Sequence, residues 1–261
     1  MKRVCIVLFA LALSGCHPGW HEARALSAAC EAGDATSCHE FGLRLDRGAH
    51  VLRDRARAAD LFDHACEQGV AESCTRFADA LEAGSLVEAD SARAVELHRR
   101  ACEGGASAGC TRLGELHLAG TGVAQDAERA ADLFARACRA GEAESCGHLA
   151  RLHVEGTGVP VDSSRARELY EGACEDDVTS ACTGLGELRL AGVDGEPDAA
   201  AAAQLFERAC DRRDGRACMR LAELHTTGNG VDTDLDRAAE LRRRACAFGH
   251  SAACPQEEEE A

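Results

Sequence analysis

Fourteen cysteines fall in seven pairs: Cys30 with Cys38, Cys66 with Cys74, Cys102 with Cys110, Cys138 with Cys146, Cys174 with Cys182, Cys210 with Cys218, and Cys246 with Cys254. Each pair is eight residues apart, and each follows the last by 36 residues. Thiols at fixed spacing can do two things. As thiolates they hold zinc, or they oxidise to disulfides. A zinc site needs close C-x2–4-C knuckles or nearby histidines to complete a tetrahedron. C-x7-C repeated seven times provides neither. In an oxidising compartment the same pattern reads as seven disulfides.

The N-terminus supplies that compartment. Lys2 and Arg3 precede a ten-residue apolar run, Val4 to Leu13, too short to span a bilayer and suited to a signal-peptide core. The run ends in Leu13-Ser14-Gly15-Cys16, which resembles a bacterial lipobox. The resemblance implies that Cys16 is acylated and becomes the first residue of the mature chain. Several acyl chains on one cysteine would hold it to a membrane. His17 stands where an inner-membrane retention signal has Asp, so the resemblance points to the outer membrane, facing the periplasm or the cell surface. Cys5 leaves with the signal, so all sixteen cysteines are accounted for. Loss of Lys2 and Arg3 takes the formal charge from −16 to −18.

Other chemistry finds little footing. Lys2 is the only lysine, so the exported part cannot build a Schiff base, a P-loop or an S-x-x-K nucleophile. H-E-x-x-H is absent too. No catalytic residue, metal site or cofactor is expected, and the chain reads as a non-enzyme. An acidic chain is a poor nucleic-acid binder, because phosphate neutralisation needs clustered Lys and Arg. Its charge favours basic partners. His117, His153 and His225 share one repeat position, with Arg189 there in the fifth unit. They form a possible binding face. Units about 10 Å apart would keep two such histidines from sharing a metal.

The elements that carry these residues follow from one unit, Cys110 to Glu144. Cys110, Leu113, Gly114 and Leu116 fall on one helical stripe. Gly120 and Gly122 stop that helix. Asp126 caps a second one, whose apolar stripe is Ala130, Leu133, Phe134 and Ala137. The cap recurs as Asp54, Asp90, Asp162, Asp198 and Asp234, and the turn glycine as Gly48, Gly84, Gly156, Gly192 and Gly228. The first helix also carries a small residue: Gly42, Ala78, Gly114, Ala150, Gly186 or Ala222. Glycine costs roughly 1 kcal/mol of helix propensity against alanine, so its use there points to close packing. Each cysteine pair then staples the turn between neighbouring units. Units one, two and five lack the G-T-G-V turn, so a different turn shape is expected in them.

These residues resemble the Sel-one-like repeat, a relative of the tetratricopeptide repeat, through the motif A-x2-L-[FYH]-x2-A-C-x7-C-x2-[LF]-[GA]-x5-G. With a cysteine pair in every unit, the chain is similar to the secreted cysteine-rich, Hcp-type subgroup. The resemblance implies an all-α, right-handed α/α superhelix (solenoid) of six 36-residue helix-turn-helix repeats with disulfide-stapled joints. The expected organisation is a lipoprotein signal at 1–15, a lipidated N-terminus and capping helix at 16–34, the array at 35–254 and an acidic, disordered tail at 255–261. The function this implies is an envelope-anchored, monomeric scaffold or adaptor. It would bind a protein or peptide in the envelope or extracellular space along the concave face, which its first helices line. The alternatives are weak β-lactam binding or hydrolysis, described among the cysteine-rich relatives, and a structural envelope spacer.

Overall fold

The structure, a computed structural model, describes residues 18–84, 90–193 and 195–254. The expected lipidation site, Cys16, and the acidic tail lie outside these residues. Thirteen α-helices are present among the described residues. They are α1 (Pro18–Glu31), α2 (Ala35–Arg47), α3 (Arg55–Glu67), α4 (Ala71–Ala83), α5 (Ser91–Glu103), α6 (Ser107–Ala119) and α7 (Ala127–Arg139). The series continues with α8 (Ala143–Glu155), α9 (Ser163–Glu175), α10 (Thr179–Ala191), α11 (Ala199–Asp211), α12 (Gly215–Thr227) and α13 (Leu235–Ala247), followed by a 3-10 turn at Ser251–Ala253. No described helix is long and apolar enough to cross a membrane.

The chain divides into two compact units after Asp126. In the first, α1 to α6 each pack on the next helix, and α4 also meets α6. In the second, α7 to α13 do the same, and α8 meets α10. Contacts that run only to the next element and the next pair are those of an α solenoid.

Both ends of each helix pair are chemically specified. Asp54, Asp90, Asp162, Asp198 and Asp234 accept the backbone N–H three residues ahead at 2.8–3.0 Å. Each such cap contributes about 1 kcal/mol. Asp126 stands in the same place before α7, and its own N–H donates to the His117 carbonyl. At the other end Gly48, Gly84, Gly120, Gly156, Gly192 and Gly228 all take the left-handed conformation, φ 58–74°.

Phe41, Phe62, Phe77 and Leu97 centre the core of the first unit; Phe134, Phe206, Leu152 and Leu241 are the largest fully buried apolar side chains of the second. Alanines fill the space between them, which lets the helices approach closely. The alternation of glycine and alanine in the first helices now has a cause. A Cβ on Gly42 would lie 2.7 Å from the Phe62 ring, and one on Gly186 would lie 2.6 Å from the Phe206 ring. Alanine stands where the residue twenty positions on is not Phe: Ala78 with His98, Ala150 with Tyr170, Ala222 with Arg242. Packing against Phe therefore outweighs helix propensity.

The second glycine of the G-T-G-V turn, or of G-N-G-V in the sixth unit, docks on the preceding unit. Gly122 sits on the Ser91 carbonyl, Gly158 on the Ala127 carbonyl and Gly230 on the backbone of Ala199 and Ala200. In the first turn His50 takes this place with φ 59°, and its ring covers Gly19. The left-handed turn is thus kept there without glycine. The corresponding positions of units two and five lie outside the described residues.

All seven expected pairs are bonded, each within its own C-x7-C segment. Cys30 bonds Cys38, Cys66 bonds Cys74, Cys102 bonds Cys110, and Cys138 bonds Cys146. Cys174 bonds Cys182, Cys210 bonds Cys218, and Cys246 bonds Cys254. The Cα–Cα separations are 4.5–4.7 Å. The second cysteine of each pair except the last lies in the first turn or two of the helix that opens the next unit. Cys38 is in α2, Cys74 in α4, Cys110 in α6, Cys146 in α8, Cys182 in α10 and Cys218 in α12. Cys254 departs from that pattern, because it directly follows the 3-10 turn at Ser251–Ala253 and does not lie in a described helix. Each bond thus ties the last turn of one helix to the start of the next segment. Such a set belongs to an oxidising, extracytoplasmic compartment.

Candidate functional site

The residues expected to form a binding face serve their own loops first. The carbonyls of His117, His153, Arg189 and His225 accept the N–H of Asp126, Asp162, Asp198 and Asp234. The rings of His153 and His225 reach on to the carbonyls of Pro160 (3.3 Å) and Asp232 (3.2 Å). A carbonyl only accepts, so Nδ1 carries the proton in both. Nδ1 of His117 is buried with no hydrogen-bond partner. Arg189 pairs with Glu171 on α9 at 2.8 Å. Leu45 and Leu81 hold this repeat position in the first unit and are core residues. The backbone at this position braces the turn between the two helices of a unit, and the rings of His153 and His225 add to it.

A different set lines a cavity of about 270 Å³ in the second unit, between α8, α10 and α12. Gly147 and Gly184 leave room for it, and Tyr170 from α9 reaches it. Charged walls come from Glu144, Arg151 and Glu155 on α8, Glu187 on α10, and Asp214 and Arg216 at the start of α12. Asp214 caps α12 through the Ala217 N–H and takes the Thr183 hydroxyl at 2.8 Å. Glu187 receives two bonds from Arg220, at 2.7 and 2.9 Å. Burial pushes the Tyr170 phenol up to about 12, so its hydroxyl is neutral at physiological pH. Sequence reasoning passed over this cavity. Its signal was two glycines at repeat positions that carry side chains in every other unit.

A second cluster also escaped notice. His98 is fully buried at the position where most other units have Phe or Tyr. Its Nε2 lies 3.2 Å from Glu82 Oε1 and 3.8 Å from Asp79 Oδ1. Arg112 reaches Glu82 Oε2 at 2.9 Å and Asp79 at 3.6 Å. The hydrogen bond from His98 is the main cause that lowers the Glu82 pKa; burial raises that of Asp79. Three ligand-type atoms thus meet within 4.8 Å. A metal on Nε2 would move the ring proton to Nδ1, which is buried without an acceptor. With Arg112 already on both carboxylates, the cluster works as an ion-pair network at the joint between α4, α5 and α6.

The pairing of glycine with Phe makes a testable statement about this joint. His98→Phe alone should cost about 1–3 kcal/mol, because the larger ring meets Ala78. Adding Ala78→Gly should recover most of that loss, despite the propensity cost of about 1 kcal/mol. Urea unfolding of the double-mutant cycle measures the coupling. Additive losses would refute the pairing. The pH dependence has a definite sign as well. A depressed Glu82 pKa stabilises the fold above the ordinary carboxylate range and is lost as pH falls through its folded value. The raised Asp79 pKa acts oppositely, since the folded state gains a proton more readily. His98→Phe removes the main cause of the Glu82 shift and should therefore flatten the acid loss of stability.

Known proteins place this architecture. The Sel1 repeat profile matches residues 26–70, 71–105, 107–142, 143–178, 179–214 and 215–250. The chain is similar to c5321, a protective antigen of uropathogenic Escherichia coli with an SLR fold, at 27% identity and a TM-score of 0.76. That match covers 88% of this chain and 50% of the antigen. A Sel1 repeat protein from Oxalobacter formigenes matches at 23% identity and a TM-score of 0.73, over 88% of this chain and 66% of that one. Helicobacter pylori cysteine rich protein B shares 26% identity over 52% of this chain and 97% of its own, with a TM-score of 0.41. The chain thus spans half the length of the first of these relatives and 66% of the second. No curated protein matches it.

Proposed function

From the premise that this chain belongs to the Sel1 repeat family, we propose that it is an exported protein–protein interaction scaffold, tethered to an envelope membrane through Cys16. The observation that carries this reading is the bonding of every joint between consecutive helix pairs. A scaffold benefits from such joints because a surface held rigid before binding loses less entropy on binding. Alternating arginines and carboxylates on the helix surfaces, such as Arg151 with Glu155 and Arg165 with Glu168, offer both charge signs to a partner. The first helices of successive pairs line the face that meets it, and the partner is a protein or peptide of the envelope or the extracellular space.

The test is cross-linking of the full-length protein in its native envelope, with mass spectrometry of the captured species and Cys16→Ala as the tether control. The scaffold reading expects one reproducible protein, captured by the oxidised form and lost when the disulfides are reduced. Capture of nothing above background by the oxidised form would sink it. Equal recovery of Cys16→Ala and the parent in the membrane fraction would remove the tether and leave the scaffold standing.

A further inference from the structure

The cavity of the second unit differs from the other joints in three residues. Position 184 is glycine, where the equivalent residues are Glu40, Arg76, Arg112, His148 and Arg220. Position 147 is glycine, where the others are His39, Thr75, Thr111, Thr183 and Met219. Tyr170 is the only tyrosine in the chain and replaces the Phe of three other units. The changes fit one another. A Cβ on Gly184 would lie 2.5 Å from Tyr170 Cζ, so the ring occupies the space that a side chain at 184 would need. The phenol therefore extends from α9 toward the cavity.

We infer that this cavity is a side-chain pocket for a lysine or arginine of a bound peptide. The inference deepens the scaffold reading and rests on it. Size is the first argument. At about 270 Å³ the cavity lies just below the range of roughly 300–1,000 Å³ typical of small-molecule sites. It has room for one long side chain. Charge is the second. Glu144, Glu155, Glu187 and Asp214 line it with Arg151, Arg216 and His148, and of the carboxylates Glu187 and Asp214 already hold Arg220 and Thr183, which leaves Glu144 and Glu155 for a guest. Both arginines lie at the surface and hold their carboxylate partners at 3.4–3.5 Å, so a cation entering beside Glu144 and Glu155 competes with one long pair, Arg151 with Glu155. Tyr170 adds an aromatic ring and a neutral hydroxyl, which together accept a guanidinium or ammonium group well. The formal charge of −16 draws the same class of partner at longer range.

The probes are two acetylated, amidated pentapeptides, Gly-Ser-Arg-Ser-Gly and Gly-Ser-Glu-Ser-Gly, followed by saturation-transfer NMR against the oxidised full chain. The arginine peptide should receive saturable transfer and the glutamate peptide none. Glu144→Gln with Glu155→Gln, both surface changes, should weaken the arginine peptide by about fivefold or more. Tyr170→Phe should weaken it by about threefold. Preference for the glutamate peptide would reassign the cavity to Arg151 and Arg216 and overturn the inference. Lack of transfer from either peptide, or unchanged binding in the double glutamine variant, would overturn it as well. The same double variant belongs in the envelope cross-linking. A partner captured equally well without the two carboxylates leaves the scaffold intact and removes the pocket. A parent protein that captures nothing, yet binds the arginine peptide, does the reverse.

Discussion

Complete reduction of the seven disulfides should unfold this protein at 37 °C. Each bond joins cysteines eight residues apart, a closure that by chain entropy contributes about 2.5 kcal/mol. A folded domain holds only about 5–15 kcal/mol in total. The rest of the molecule has little reserve to make up the loss. Its core is built largely of alanine, the whole chain has only 3% aromatic residues, and burial stabilises in proportion to apolar area. Its helices beyond the first are 13 residues long, a length that is marginal for an isolated helix in water. The removal of one bond by Cys66→Ala together with Cys74→Ala should cost about 2–3 kcal/mol; both side chains are buried, so lost packing adds to the entropy term. Far-UV circular dichroism across a urea titration, with and without a phosphine reductant, reads both effects. An unchanged midpoint after verified reduction would show that the bonds add nothing to the fold.

Gly158→Ala should be among the most damaging single substitutions, with a loss of about 3 kcal/mol or more. Two penalties combine there. At φ +70° a Cβ meets its own backbone, at roughly 1–2 kcal/mol. The same Cβ would sit 2.7 Å from Glu128 N and closer still to the Ala127 carbonyl, in the first turn of α7. Backbone cannot rotate away as a side chain can. Gly156→Ala is the internal control. It has the same backbone penalty at φ +69°, but its Cβ meets only the tip of Val161, which is mostly exposed and free to move. That variant should lose about 1–2 kcal/mol. Thermal and urea unfolding of the pair separates turn geometry from docking. Equal losses would mean that the contact between turn and preceding helix carries no energy.

Much of this architecture was legible because repetition multiplies weak signals. One Asp by itself is a poor helix marker. The same Asp at 54, 90, 126, 162, 198 and 234 is a strong one, and the turn glycines gain in the same way. The disulfide partners were readable for a similar reason, since a spacing shared by all seven pairs leaves few rival schemes. The candidate site was not legible, because it consists of departures from the repeat. Gly147, Gly184 and Tyr170 are unremarkable one at a time. Their coincidence appears only when neighbouring helices are laid side by side. The histidines show the opposite case. Recurrence drew attention to His117, His153 and His225, yet recurrence is what a loop brace needs as much as a ligand does. His98, alone at an aromatic position, had no repetition to announce it.

A bond that closes within eight residues also separates the protein's length from its oxidative folding. Fourteen cysteines can pair in on the order of 10⁵ ways. Here every correct partner is the nearest one along the chain, reached within about 10–100 ns of loop closure. Duplication or loss of any 36-residue stretch within the array adds or removes one whole pair, one turn glycine and one capping aspartate, and strands no thiol. A gene encoding such a chain can lengthen or shorten by unequal recombination without ever producing an odd cysteine for the export machinery to resolve. Each copy so made brings its own joint already matched, and is then free to lose a side chain or gain a hydroxyl as the unit around Tyr170 has done.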